Sequence, residues 1–97
     1  MAIGISLQRW TDQGLRNIKD TVTRARAAIA AVQKAGGKLT TYYTQGQYDL
    51  ISILEGTLDE ETASAIALGI VQAGNIRAET LRAFTIDEME RILRKIS

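Results

Sequence analysis

The chain has no cysteine, no histidine and no proline among its 97 residues. Without cysteine there is neither a disulfide nor thiol chemistry. Without histidine the commonest acid–base side chain and the commonest metal ligand are gone, so a histidine-bound zinc or haem is excluded within the chain, as is a Ser-His-Asp set. There is also no phosphate-binding P-loop and no Gly-x-Gly-x-x-Gly turn. Aromatics make up only 5% of the residues, and many apolar positions are small alanines. A domain of this size buries about two-thirds of its chain surface, so the core is modest and a partner subunit would help. No apolar run approaches the roughly 18 residues of a membrane span. The N-terminus lacks a basic region followed by an apolar stretch, so secretion is not expected and a cytoplasmic location is.

What remains is typical of a single globular domain, with 45% hydrophobic residues. Net charge is +1, unevenly spread: residues 1–48 carry seven bases and two acids, whereas residues 49–97 carry five bases and nine acids. A nucleic-acid patch can produce such asymmetry, but the bases lie along helix faces without interleaved aromatics for stacking. Attraction between the two halves, within or between subunits, is the simpler reading. The adjacent acids Asp59, Glu60 and Glu61 read as a solvated first helical turn, so no metal is expected.

With no proline, glycine carries the punctuation. Ile3, Ile5 and Leu7 alternate with Gly4, Ser6 and Gln8, which predicts a half-buried strand ending near Trp10. Thr11 or Asp12 is expected to cap a short helical turn interrupted at Gly14, and Thr21 to cap a second helix. Val22, Ala25, Ile29 and Val32 give that helix an apolar stripe, and Gly36-Gly37 ends it. Strands at about 38–44 and 48–55 flank Gln45-Gly46, read as a tight hairpin turn. Asp59 caps a helix whose apolar face holds Ala63, Ile66, Ala67 and Ile70, and Gly74-Asn75 stops it. Residues 76–84 form the fourth strand. Thr85-x-x-Glu88 is a capping box, opening an amphipathic helix with Met89, Ile92, Leu93 and Ile96 on one side.

This order predicts an α+β fold: a ferredoxin-like β-α-β-β-α-β sandwich with a four-stranded antiparallel sheet ordered 4-1-3-2, plus a C-terminal helix. The expected division is a domain over residues 1–84 and an amphipathic helix over 85–97. The helices are expected to cover the sheet face carrying Ile3, Ile5 and Leu7. Gly4, Ser6, Gln8 and Trp10 of strand 1, with Leu50, Ser52 and Leu54 of strand 3, would then form an open face suited to a second copy of the same sheet. On strand 4, Ile76, Ala78, Thr80 and Phe84 look buried, and so do Leu81 and Ala83.

Three segments carry a resemblance: Arg9-Trp10-Thr11-Asp12-Gln13-Gly14, the Gly46-x-Tyr48-Asp49 turn, and Asn75 through Phe84. Together, over about Ile5 to Phe84, they resemble the GYD domain family, named for the glycine, tyrosine and aspartate of that turn. The resemblance implies a ferredoxin-like domain of the dimeric α+β barrel type, a homodimer, and no established general activity. The C-terminal helix lies outside the resembling segments.

The topology is expected to gather Arg9, Trp10, Tyr43, Tyr48, Asp49 and Arg77 at one rim, and these are the candidate ligand-binding residues. Arg9 and Asp49 share phases that would point both toward the helices, as a structural charge-assisted pair or with Arg9 holding a small anion. Trp10, Tyr42, Tyr43 and Tyr48 hold most of the aromatic surface, read as core or interface packing before ligand stacking. The expected function is a homo-oligomeric domain, structural or binding a small anionic or aromatic ligand between sheet and helices, with no cofactor and no membrane or nucleic-acid partner. One alternative, by analogy with other dimeric α+β barrels, is a cofactor-independent monooxygenase or isomerase. In it Arg9 would bind an anion or polarise a carbonyl, Tyr43 would orient substrate and Asp49 would act as base. The other is an assembly protein that forms larger oligomers through its C-terminal helix.

Overall fold

The computed structural model describes residues 3–96; Met1, Ala2 and Ser97 lie outside the described residues. In chain order the elements are β1 (Ile3–Trp10), α1 (Asp12–Arg16), a 3-10 turn (Ile18–Asp20), α2 (Thr21–Lys34), β2 (Gly37–Tyr43), β3 (Leu50–Gly56), α3 (Glu60–Gln72), β4 (Ile76–Ala83) and α4 (Ile86–Leu93). The sheet runs β2-β3-β1-β4, with every neighbouring pair antiparallel. This is the ferredoxin-like α+β fold the element order predicts.

Local chemistry explains most boundaries. Thr11 caps α1 by accepting from the Gly14 N–H at 3.0 Å, and Asp59 caps α3 by accepting from the Thr62 N–H at 2.8 Å. Each satisfies a backbone donor that a helix start leaves free. At α4 the Thr85 hydroxyl accepts from the Glu88 N–H while the Glu88 carboxylate accepts from the Thr85 N–H, a complete capping box. Thr21 is not a cap. It is the first residue of α2, and the cap position falls to Asp20, whose side chain makes no capping bond. The preceding 3-10 turn supplies the entry that a side-chain cap would otherwise provide. Nor does Gly14 interrupt a helix: it lies buried inside α1. The hairpin is also looser than a two-residue turn, because the strands end at Tyr43 and restart at Leu50. The loop between them is closed by Thr44 N–H to the Asp49 carbonyl at 2.8 Å and by the Thr44 hydroxyl to the Tyr48 carbonyl at 2.7 Å.

The two sheet faces are the reverse of the sequence expectation. The phase holding Gly4, Ser6, Gln8 and Trp10 on β1, and Leu50, Ser52 and Leu54 on β3, faces α2 and α3 across a pair of clefts. Gln8, Leu50 and Ser52 are buried there. On β4 the helix-facing phase is Ile76, Ala78 and Thr80. The open face therefore carries Ile3, Ile5, Leu7 and Arg9, with their cross-strand partners Ile51 and Ile53 on β3 and Arg77, Glu79, Leu81 and Ala83 on β4. Alternation reveals that a strand has two faces, but not which face the crossover helices cover.

The helices stand off the sheet. Only Val32, Leu50 and Ile76 are buried apolar residues among those described. The radius of gyration is 14.8 Å, against roughly 12.5 Å for a compact domain of this length. Small side chains cause the gap: Ala25, Ala28, Ala65 and Gly69 on the helices oppose Thr41, Ser52 and Gln8 on the sheet. α4 adds to the extension. It makes no extensive contact with another element, and Ile86, Leu93 and Ile96 are 88%, 56% and 70% exposed.

Candidate functional site

Between the sheet and the two long helices lies a cleft of about 490 Å3, next to a second of about 310 Å3. Gln8, Leu39, Ser52, Ile66, Ile70 and Ile76 line both, so the two adjoin along the middle of the sheet. On the floor is a small polar network: the Gln8 amide donates to the Ser6 hydroxyl at 3.0 Å and to the Ser52 hydroxyl at 3.2 Å. The Ser52 and Thr41 hydroxyls share a further bond at 3.1 Å. A buried network costs little only when its members satisfy one another, and these largely do.

One end of the larger cleft is aromatic. The Trp10 and Tyr43 rings stack with centroids 6.4 Å apart and planes inclined by 20°. The Tyr43 hydroxyl shares a 3.0 Å hydrogen bond with the Thr21 hydroxyl, tying β2 to the first turn of α2. Arg24, one turn further along α2, also lines this cleft. Its Nη1 donates to the Asn17 carbonyl at 3.0 Å, while its Nη2 is buried without an acceptor.

The six residues singled out from the sequence meet at this end of the sheet but divide between its faces. Trp10 and Tyr43 line the cleft. Arg9 and Arg77 are cross-strand partners on the open face. Like charges placed opposite each other repel, and Arg9 finds a counterweight in the Tyr48 ring, whose centroid lies 5.0 Å from its guanidinium carbon. The Tyr48 hydroxyl donates to Glu79 at 2.9 Å. That bond, first among the causes, together with desolvation, raises the Tyr48 pKa above its ordinary value. Arg9 and Asp49 do not pair across the sheet toward the helices, as their phases had suggested. Arg9 is exposed on the open face, and the Asp49 carboxylate instead accepts from the Trp10 N–H at 2.9 Å. The Asp49 N–H donates to the Gln8 carbonyl at 2.8 Å. Asp49 thus extends the β1–β3 ladder by one side chain, where the loop has left the strand. Among the described residues no cluster of acids suits a metal ion, and no helix is long and apolar enough to cross a membrane.

Each residue of the turn has a separate task. Gly46 takes a φ of 129°, a conformation that side chains strongly disfavour. Tyr48 spans Arg9 and Glu79 on the open face. Asp49 locks the backbone of Trp10. The other two characteristic segments meet as well. The Thr11 N–H donates to the Asn75 carbonyl at 3.1 Å, and Gln13 reaches the Ala73 carbonyl at 2.8 Å and the Asn75 side chain at 3.2 Å. A Cβ on Gly14 would come within 1.9 Å of the Asn75 carbonyl oxygen. The sequence profile of the GYD domain matches residues 5–93. The chain belongs to the GYD domain family.

The family match takes in α4, beyond the stretch in which the three sequence segments are found. The domain is also similar to the crystal structure of TTHA0845 from Thermus thermophilus. The TM-score is 0.52 and the identity 25%, over 88% of this chain and 95% of that one. No curated protein matches it.

Sequence reasoning missed Arg24, Gln8, Thr41 and Ser52. The first lies off the apolar stripe of its helix and was grouped with the bases that lack interleaved aromatics. The other three fell on strand phases assigned elsewhere or were not singled out. The available signal was composition: a helix rich in alanine opposite a strand phase of Gly, Ser and Gln leaves space that larger side chains would have filled.

Proposed function

We propose that this GYD domain is a homodimeric small-ligand-binding protein, its two sheets packed face to face and each sheet–helix cleft holding a small molecule. The observation that carries the reading is the character of the open sheet face. Ile5, Leu7, Ile51, Ile53 and Leu81 form one contiguous apolar area across three strands, while the serines and Gln8 turn toward the helices. Leu81 is 43% exposed and Tyr42 57%. A sheet that turns its serines toward the helices and leaves Ile5, Leu7, Ile51, Ile53 and Leu81 together on the other side, beside Arg9, Arg77 and Glu79, favours a self-complementary partner about a two-fold axis. The cleft supports the second half of the reading, since about 300–1,000 Å3 is the range of small-molecule sites.

Light scattering at micromolar concentration tests the dimer. The expected mass is twice that of one 10.6 kDa chain, and Ile53→Glu is expected to halve it while leaving the circular dichroism of the fold in place. A single-chain mass for the unmodified protein would refute the reading.

Enzymatic turnover has less support. Neither Arg9 nor Asp49 lines either of the two clefts described above, and the Asp49 carboxylate accepts from the Trp10 N–H. One observation favours a second reading, assembly beyond the dimer. The α4 stripe of Met89, Ile92, Leu93 and Ile96 is exposed throughout, and α4 packs extensively on no other element among the described residues. Deleting residues 85–97 is expected to leave a dimer and to remove any larger species.

A further inference from the structure

We infer that the larger cleft takes a flat, apolar monocarboxylate, with Arg24 as the partner of its anionic group. This rests on the reading of the cleft as a ligand site and specifies the chemistry. Among the described residues Arg24 is the one charged side chain that lines either cleft. Among the described residues no acid stands within ion-pair distance of it. Its guanidinium is half engaged: Nη1 is fixed by the Asn17 carbonyl, and Nη2 is buried with no acceptor. A buried donor without a partner is uncommon, and a guanidinium in that state is the ordinary complement of a carboxylate.

The remaining walls set the rest of the ligand. The stacked Trp10 and Tyr43 rings line the cleft. The hydrogen bond between Tyr43 and Thr21 places that stack at the same end as Arg24, which follows Thr21 by one helical turn. The charged head and a flat apolar surface therefore lie together. Ala25, Ala28 and Gly69 form an apolar wall with room for a ring system. The donors of the polar floor are largely spent on one another, with both Gln8 amide hydrogens bonded to Ser6 and Ser52 and the Thr41 hydroxyl to Ser52. A sugar or a multiply charged phosphate would leave several of its polar groups unpaired against such walls. One negative charge on an apolar body matches one cation in an apolar cleft.

The test uses 2-naphthoate and its uncharged counterpart 2-naphthamide on the full-length protein. Trp10 is the chain's one tryptophan, so a single indole N–H resonance reports on the cleft, with calorimetry giving affinities. The naphthoate is expected to bind about tenfold more tightly than the amide, the scale of one charge-assisted hydrogen bond. Arg24→Gln should abolish that preference, bringing the naphthoate affinity down to that of the naphthamide. Ala28→Phe, which fills the cleft, should abolish binding of both. Equal affinities in the unmodified protein, or a preference that survives Arg24→Gln, would overturn the carboxylate assignment while the cleft reading stands. No movement of the Trp10 resonance with either compound, or binding undiminished by Ala28→Phe, would remove both. Should Arg24→Gln fail to fold, the naphthoate–naphthamide comparison with Ala28→Phe decides the question by itself.

Discussion

Replacing Gly14 by alanine isolates one close approach from every other property of glycine. Gly14 is not among the glycines with positive φ, so an alanine meets no backbone strain there. It meets the neighbouring chain instead: the new Cβ would lie 1.9 Å from the Asn75 carbonyl oxygen and 2.9 Å from its carbonyl carbon. Both atoms are backbone, so α1 must move away from the start of β4 by more than an ångström. Overpacking of this kind costs about 1–3 kcal/mol. The shift also breaks the bond from the Thr11 N–H to Asn75 and the bond from the Thr11 hydroxyl to the Gly74 carbonyl, at about 1 kcal/mol each. Alanine's helix propensity returns about 1 kcal/mol. The net loss is about 2–4 kcal/mol, which lowers the melting temperature by about 10–25 °C in a domain of this size. Gly69→Ala is the control. It lies inside α3 with nothing within 4 Å of the new Cβ, so propensity acts alone and the melting temperature should rise by about 4–8 °C. Thermal unfolding followed by circular dichroism reads both. If Gly14→Ala melted at or above the unmodified protein, the packing of α1 on Asn75 described above would be wrong.

Three further outcomes are expected. Asp49→Ala removes the acceptor of the partly buried Trp10 N–H and should cost about 1–2 kcal/mol in denaturant unfolding; Asp49→Asn, which retains an acceptor oxygen, should cost less. Glu79→Gln weakens the bond that holds the Tyr48 proton, so the Tyr48 ionisation followed by absorbance should shift down toward the ordinary tyrosine range. The raised pKa means this interaction contributes below that range and is lost as pH rises through the folded value. At the acid end, Thr62 bonds hold the Asp59 carboxyl below the usual range, and the Thr85 N–H does the same for Glu88. Their contributions are present above the ordinary carboxylate pKa and lost as pH falls through the folded values. Amide resonances of Thr62 and Thr85 should therefore move together with those carboxyls, at a pH below the midpoint of an unperturbed acid.

Much of the backbone was legible in the chain itself, because its signals are local. Alternation in Ile3–Leu7, the capping oxygens of Thr11, Asp59 and Thr85, and the glycine at 46 act over a few residues. They specify four strands in order and the helices between them. Pairing order follows from the connections, so the sheet order was accessible as well. The width of the hairpin loop was not, since bonds made by Thr44 and Asp49 fix where the ladder stops. The faces of the sheet were decided only by tertiary structure. The most apolar strand phase, Ile3, Ile5 and Leu7, reads as core from periodicity. It lies open because α2 and α3 cross on the other side. Period two is symmetric between a face covered by helices and a face awaiting another sheet, so no count of residues distinguishes them. Once the faces exchanged, the site changed with them. Arg9, Arg77 and Tyr48 went to the open face, Trp10 and Tyr43 to the cleft, and Arg24 joined them from a helix whose alanines leave the space a ligand would need.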